Sequence, residues 1–228
     1  MNNQTKLIMN MTGDIFQPIR LYYRIHNMEM MSRIFRAMSC MNFDHDNNRW
    51  IWLYDGEAKS LKFKTPYSSI PKERRPIILG SFYSDGNNEM RLDIGSIERA
   101  TTAVVFFDKR ISRAVAEIAY FAIYNKLLPQ TELPGSNFDK LFAGVKTEEI
   151  EAKQAAEIER VATMVKSGRL LDMLQERHFE LVESFPVNFY SDGIGSFEGW
   201  LQMRQAVALK RWQGNKDFTI TDLLRSLQ

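Results

Sequence analysis

The chain contains a single cysteine, Cys40, and this scarcity excludes two kinds of covalent stabilisation. One thiol can form neither an internal disulfide nor a cysteine-rich zinc site. The chain also lacks any apolar run close to the roughly 20 residues that a membrane-spanning helix needs. The first fourteen residues carry one Lys and no long apolar stretch, so no signal peptide is predicted. We therefore expect a soluble, cytoplasmic protein with no membrane contact.

Recognisable catalytic motifs are missing as well, among them the nucleophile elbow, the P-loop and the HExxH zinc motif. The densest group of possible metal ligands is Asp44, His45 and Asp46, which stand in a turn-forming stretch typical of a solvated loop. Glu57 and Lys59 have the acid-x-Lys spacing of some metal-dependent nucleases, but they fall in an Asp-Gly turn instead of a strand. We predict no metal and no cofactor. The sequence favours a non-enzymatic protein, and an enzyme with an unidentified site remains a third hypothesis.

The net charge of +2 is small, but it is unevenly distributed. Residues 1–146 carry a net charge of +5 and residues 147–228 a net charge of −3. The basic excess concentrates in Arg49–Arg75, where seven basic residues stand against three acidic ones. This layout is compatible with an anionic partner, and equally with two halves that face each other.

Hydrophobic residues make up 44% of the chain, which is enough for a core. Period-two alternation predicts strands, and the continuously apolar stretch before Asp108 predicts a strand buried on both faces. The predicted strands are Pro18–Ile25, Arg49–Asp55 with its hairpin partner Lys59–Lys64, Ile77–Tyr83, Glu89–Gly95, Thr101–Asp108 and Pro186–Tyr190.

Helical periodicity and capping residues predict the remaining elements. The predicted helices are Met28–Met41, Ser112–Leu128, Thr147–Lys166, Arg169–Glu183, Phe197–Trp212 and Asp222–Leu227. The fold class is α+β: an N-terminal strand-helix-meander-helix unit with a mainly antiparallel sheet precedes a mostly helical C-terminal region. We predict a sheet domain at 1–135 and a mainly helical region at 136–228 packed on it, with a linker near Pro129–Ser136.

The pentapeptide FYSDG occurs twice, at Phe82–Gly86 and at Phe189–Gly193. The flanks of the first copy suit two strands joined by a turn, and those of the second suit a strand that leads into a helix. The flanking sequences share no pattern, as a duplicated unit would require. Ser-Asp-Gly favours turns, so we interpret the repeat as a turn used twice and not as two sites.

One surface is a candidate for binding, because alternate residues of a strand point to the same side. An aromatic and basic sheet face suits single-stranded nucleic acid, where bases stack and phosphates pair. The alternative is that these rings pack across the strands and that the C-terminal helices cover them. The predicted nucleic-acid-binding residues are Arg20, Tyr22, Arg24, Trp50, Trp52, Tyr54, Lys62, Lys64, Arg74 and Arg75.

A second hypothesis is a protein-interaction or assembly factor. Residues 147–183 contain two amphipathic helices whose apolar faces would pair with another copy or with a protein partner. The apolar positions are Ile150, Ile158, Val161 and Val165 on the first helix, and Leu170, Leu171, Leu174 and Leu181 on the second.

Overall fold

The computed structural model describes residues 6–86, 88–132, 138–167 and 179–226. These residues form an α+β fold with seven strands. The strands are β1 (Ile19–Ile25), β2 (Met41–Asp44), β3 (Arg49–Leu53), β4 (Ile78–Gly86), β5 (Glu89–Ile94), β6 (Ala116–Tyr124) and β7 (Val182–Pro186). They build one antiparallel sheet in the order β2-β3-β4-β5-β1-β6-β7.

The helices lie mostly in the C-terminal half, as the sequence predicts. They are α1 (Met28–Ala37), α2 (Ile97–Asp108), α3 (Phe138–Leu141), α4 (Thr147–Lys166), α5 (Phe189–Asp192), α6 (Ile194–Trp212) and α7 (Ile220–Arg225). Side-chain caps begin several of them: Asn27 accepts a hydrogen bond from the Met30 N–H, and Ser96 from the Arg99 N–H. No helix in the described part of the chain is long and apolar enough to cross a membrane.

The sheet has two unlike faces. The core face packs against α1, α2 and α6 and includes Leu21, Trp52, Phe82, Leu92 and Ile123. We call the opposite side the arginine face; across the central strands it carries Arg20, Tyr22, Tyr83, Arg91 and Asp93. The alternation of β1 is therefore predicted correctly, since its odd-numbered residues enter the core and its even-numbered ones lie on the arginine face.

Two apolar segments adopt the opposite structure to the predicted one. Thr101–Asp108 belongs to helix α2, and the predicted helix Ser112–Leu128 contains strand β6. The Phe106 and Phe107 side chains of α2 are both buried, and β6 is buried along most of its length between β1 and β7. The exposed side of α2 includes the apolar Val105, and β6 is buried on both faces, so neither segment has the clear polar–apolar period that distinguishes a helix from a strand.

The partner of β3 also differs from the prediction. β3 pairs with β2 and β4, whereas the predicted partner Lys59–Lys64 begins in a 3₁₀ turn that spans Gly56–Ser60. Gly56 has a φ of +48°, and a Cβ atom there would stand 2.9 Å from the Cys40 nitrogen. The predicted helix Met28–Met41 is shorter than expected, because Met41 already belongs to β2.

The C-terminal predictions have mixed outcomes. Helix Thr147–Lys166 is confirmed, and the helices predicted near 197–212 and 222–227 correspond to α6 and α7. The predicted strand Pro186–Tyr190 is displaced, since β7 ends at Pro186. Most of the predicted helix Arg169–Glu183 lies outside the described residues, and its last residues, 182 and 183, belong to β7.

The division into two domains stays a prediction. The linker predicted at Pro129–Ser136 is described only as far as residue 132, and Gln130–Glu132 forms a 3₁₀ turn. The structure adds that the C-terminal region contributes strand β7 to the sheet, beside β6.

The two FYSDG copies have different backbone conformations. The first closes β4 before the chain turns into β5, as predicted. The second forms the short helix α5 and then Gly193, whose φ is +82°. The same five residues are thus extended in one copy, whereas four of them are helical in the other, so neither copy forms a turn as a whole and the interpretation as a turn used twice is wrong.

Candidate binding surfaces

The aromatic side chains of β3 and the residues after it point into the core. Trp52 and Tyr54 are 0% exposed. The Trp52 ring centroid lies 5.4 Å from that of Phe106 and 5.1 Å from that of Phe107. The Tyr54 hydroxyl donates a hydrogen bond to the Leu61 carbonyl at 2.9 Å. Of the two alternatives for these rings, an exposed stacking platform or packing inside the protein, the structure shows the second for Trp52 and Tyr54.

Strand register explains why the predicted face does not exist as one surface. Arg20 pairs with Asp93, Asp93 with Ser81, and Ser81 with Ile51. Directly paired residues share a face, so Ile51 lies on the side of Arg20, and Trp50 lies on the other side. Trp50 is half-buried and packs against the core.

The arginine face instead presents a row of alternating arginine and tyrosine side chains. Paired positions across five neighbouring strands are Arg49, Tyr83, Arg91, Tyr22 and Tyr120. The Arg91 guanidinium lies 5.1 Å from the centre of the Tyr83 ring, and that of Arg49 lies 6.0 Å from it. Cation–π contacts of this kind stabilise the row on the side of the sheet opposite the core face.

Carboxylates neutralise the guanidinium groups of this face. Arg20 donates to Asp93 at 2.6 and 3.0 Å and to Asp139 at 2.8 Å. Arg91 pairs with Asp85 and with Asp139, the latter at 3.0 Å. Arg49 donates to Asp44 at 2.9 Å. Because every one of these arginines already binds a carboxylate, the row has little free positive charge to offer a phosphate.

The residues in the middle of the arginine face, Arg20, Tyr22 and Asp93, are buried and stabilise the fold. Burial raises the pKa of Asp93, and the Arg20 guanidinium opposes that rise. Burial also raises the pKa of Tyr22 to about 12. The Phe142 ring covers Arg20 at 5.1 Å. Arg24, at the end of the strand, has a half-exposed side chain that pairs with Glu117 at 3.4 Å.

A separate basic surface lies in the connection between β3 and β4. We define the basic loop as residues 59–75, which contain six basic residues and one acidic residue. Five of its six cations are exposed, namely Lys59, Lys62, Lys64, Lys72 and Arg74, and Arg75 is half-buried. The net charge of the basic loop, +5, equals that of the whole of residues 1–146.

Buried side chains hold the basic loop in one place. Phe63 and Ile70 belong to the core, with 9% and 2% of their surfaces exposed. The Tyr67 N–H donates to the Tyr54 hydroxyl at 3.1 Å. Apolar anchors at intervals along the loop leave the intervening lysines and arginines outside.

The cations of the basic loop differ in their partners. Lys59 pairs with Asp55 at 2.6 Å and Lys64 with Glu98 at 3.2 Å. Among the described residues, Lys62 and Lys72 take part in no ion pair, and Arg74 contacts the Met11 sulfur. These cations are available for an anion from solution.

Arg75 is held by backbone atoms instead of a carboxylate. Its Nε donates to the Ile70 carbonyl at 2.8 Å, and its Nη2 to the Ser68 carbonyl at 3.0 Å. The guanidinium carbon lies 4.4 Å from the centre of the Tyr67 ring, and Lys59 Nζ lies 5.1 Å from the same ring. Within the described structure, Arg75 forms no ion pair and lies next to an aromatic ring.

The possible metal-ligating residues, Glu57 and Cys40 make contacts that stabilise the fold. Asp44 binds Arg49 and Asn47, and no group of three metal-ligating side chains occurs within the described ranges. Burial acts to raise the pKa of Glu57, but the N–H groups of Ser39 and Cys40, each at 3.0 Å, lower it to about 2. Cys40 is buried, as predicted, and burial raises the pKa of its thiol to about 12.

Comparisons with protein-family models, with curated proteins and with solved structures each found no match. The basic loop is therefore assigned as the candidate binding surface from its own contacts and charges. Sequence reasoning missed Tyr67, although its position between two prolines in a basic loop was a usable signal.

Proposed function

We propose that the protein is a non-enzymatic binding protein that takes up single-stranded nucleic acid along the basic loop, residues 59–75. The observation that carries this proposal is a net charge of +5 over these residues. Its cations at positions 62, 72, 74 and 75 are not neutralised by carboxylates in the described structure. Such a surface attracts the phosphate backbone and releases its counterions.

The surroundings of Arg75 favour a single strand over a duplex. Unpaired bases stack on aromatic rings and on guanidinium planes, and such stacking tolerates any base. The two carbonyl hydrogen bonds of Arg75 fix its guanidinium group above Tyr67. We expect weak sequence preference, because the loop offers charge and a stacking surface without a constellation that reads base edges.

Fluorescence anisotropy with a labelled oligo-dT strand tests the proposal. A triple variant, Lys62→Gln, Lys72→Gln and Arg74→Gln, should weaken binding by about tenfold or more at moderate salt. If each side chain neutralises one phosphate, the slope of log affinity against log salt should fall by about 2. A duplex of the same length should bind less tightly than the single strand.

A matched triple variant controls for net charge. Lys109→Gln, Lys153→Gln and Lys210→Gln remove the same charge from exposed positions on other elements. This control should change the affinity by about twofold or less, because the removed charges lie outside the basic loop and only their general contribution to the electrostatic field is lost. Equal losses in both triple variants, or no salt-dependent binding by the wild-type protein, would refute the proposal.

A second candidate, self-association through α4, is favoured by one observation. Ile158 is 61% exposed near the middle of this 20-residue helix. Ala155 and Ala162, one turn to either side, are exposed as well, whereas Ile150 is buried against Phe142 and its neighbours. We propose that this stripe pairs with α4 of a second copy. The side chain of Val165 and residues 168–178 lie outside the described part of the chain.

Sedimentation velocity over a range of protein concentrations tests this second candidate. The wild-type protein should show a concentration-dependent dimer, and Ile158→Glu should abolish it by placing a charge in the interface. Ala143→Glu, on an exposed residue before the helix, is the control and should leave the dimer intact. A wild-type monomer at all concentrations would eliminate the candidate.

A further inference from the structure

A large groove of about 1140 Å³ lies between the residues that follow β6, the residues that precede β7 and the end of helix α6. Its apolar lining includes the buried Leu127 and the half-buried Trp212. Phe179 and Leu181 line it as well, and they are 40% and 46% exposed. Large apolar side chains exposed together are typical of a binding site.

The charged side chains of the groove are mostly cations. Four of them line it, namely Lys126, Arg211, Lys216 and Glu132, so three positive charges stand against one negative charge and the net charge is +2. Lys126 pairs with Glu132 at 3.5 Å, and these two neutralise each other. Arg211 and Lys216 form no ion pair within the described part of the chain. The positive charge of the groove therefore belongs to these two residues.

A smaller cavity of about 210 Å³ lies next to the groove and shares Asn125 and Phe179 with it. The charged lining of this cavity consists of two arginines and two glutamates, which are Arg160, Arg204, Glu180 and Glu183. Because these charges balance, the neighbouring space does not cancel the net positive charge of the groove.

Contacts with an aromatic ring and a backbone carbonyl hold the Arg211 guanidinium in place. Its Cζ lies 3.6 Å from the centre of the Phe179 ring, and its Nη1 donates to the Phe218 carbonyl at 3.1 Å. Nε and Nη2 make no hydrogen bond to the described residues, and neither is a buried unpaired atom there, so both are accessible to solvent. These two nitrogens lie on one edge of the planar group and match the two oxygens of a carboxylate. Arg20 uses the same two nitrogens to bind Asp93.

The charge and the walls of the groove together define the ligand that it suits. A cationic ligand would be repelled by Arg211 and Lys216, and a neutral apolar ligand would leave the accessible edge of the guanidinium unused. A small polar anion would leave the apolar walls in contact with water. A carboxylate that carries an apolar chain satisfies both parts of the groove.

We propose that this groove binds an amphipathic carboxylate, such as the anion of a fatty acid. The carboxylate oxygens accept hydrogen bonds from Nε and Nη2 of Arg211, and the positive charge of Lys216 adds to the attraction. The alkyl chain covers Leu127, Leu181 and Trp212. This proposal does not rest on the proposed binding of nucleic acid by the basic loop.

Three probes with the same alkyl chain test the chemistry on the wild-type chain: decanoate, decanol and decylammonium. In a ¹H–¹⁵N NMR titration, decanoate should shift the Leu127 and Leu181 amide signals and the Trp212 indole signal in a saturable manner. Decanol and decylammonium should bind at least about tenfold more weakly, because neither can accept a charge-assisted pair of hydrogen bonds from the guanidinium. Acetate should bind at least about a hundredfold more weakly than decanoate, because it has no chain to cover the apolar walls.

Arg211→Gln should weaken decanoate binding by about tenfold or more and leave decanol binding nearly unchanged. Lys210→Gln, on an exposed neighbour that does not line the groove, is the control and should bind decanoate within about twofold of the wild-type protein. Should Arg211→Gln fail to fold, the comparison of probes on the wild-type chain still decides.

The proposal is overturned if decanoate and decanol bind alike, if folded Arg211→Gln binds decanoate as the wild-type protein does, or if no groove signal saturates at up to about 5 mM decanoate. A second copy seated in the groove, seen as a dimer that excludes decanoate, would overturn it as well.

Discussion

At the scale of the residue, several ionisable side chains bind segments that lie apart in the sequence, as the pairs Arg20–Asp93 and Glu57–Cys40 show. Glu57 illustrates this, because its carboxylate accepts the N–H groups of Ser39 and Cys40 at the point where the chain leaves α1. Gly56 permits the contact, since its positive φ and missing side chain leave room beside Ser39. Glu57, the acid of the acid-x-Lys spacing, therefore acts as a hydrogen-bond acceptor for two backbone N–H groups.

Glu57→Gln should lower the free energy of unfolding by about 1–2 kcal/mol near pH 7, because a charged acceptor is replaced by a neutral one and solvent screens part of the effect. The folded-state pKa of Glu57 is about 2, below the usual 4.5, so its contribution is present above about pH 4.5. That contribution is lost as the pH falls from about 5 towards 2. Urea unfolding of both proteins across this range measures it. A difference that stays constant down to pH 3 would show that the charge has no role.

At the scale of the element, the sheet is held to its helices through aromatic packing. Trp52 on β3 meets Phe106 and Phe107 on α2, and Phe35 of α1 lies 4.8 Å from Phe82 of β4. A polar side chain in the place of any of these rings would lower the stability of the fold, because it would be buried without a hydrogen-bond partner. The helices thus cover the face that a nucleic-acid platform would have needed.

Trp52→Ala should destabilise the protein by about 3–5 kcal/mol, because it empties a fully buried site. Trp52→Phe should cost less, since the buried Trp52 Nε1 has no hydrogen-bond partner among the described residues and loses nothing when it is removed. Chemical denaturation measures both effects. Oligonucleotide affinity should be unchanged wherever the variants remain folded. A stable Trp52→Ala protein with weakened binding would instead restore the exposed-platform hypothesis.

At the scale of the whole molecule, one sheet connects the two ends of the chain. β7 follows the helix α4 in sequence, yet it pairs with β6 and lies two strands away from β1. Helix α6 packs against α2, which belongs to the N-terminal region. If the C-terminal region unfolded separately, the sheet would lose β7 and the core would lose α6.

We expect the described fold to unfold in one cooperative transition, since its core includes residues from both regions, such as Phe121 and Phe197, whose ring centroids are 5.0 Å apart. Coincident thermal transitions by far-ultraviolet and near-ultraviolet circular dichroism would support this. Proteolysis near residues 133–136 that yields two independently folded halves would contradict it.

The sequence was sufficient to predict the secondary structure of segments that bury only one side. Three examples are the alternation in β1, the period of α4 and the strands around the first FYSDG copy. In each of them polar and apolar positions repeat with the period of the element.

Tertiary structure alone decided the conformation of α2 and β6 and the sides on which the candidate residues lie. Neighbours distant in sequence bury most of both segments, and the exposed side of α2 includes the apolar Val105, so neither segment has a clear polar–apolar period that separates a helix from a strand. The side of a strand residue depends on register with its partners, so Arg20 and Trp52 came to opposite faces through the pairing of four strands. The meeting of Leu127, Leu181 and Arg211 in one groove arises likewise from long-range packing, which sequence spacing does not encode.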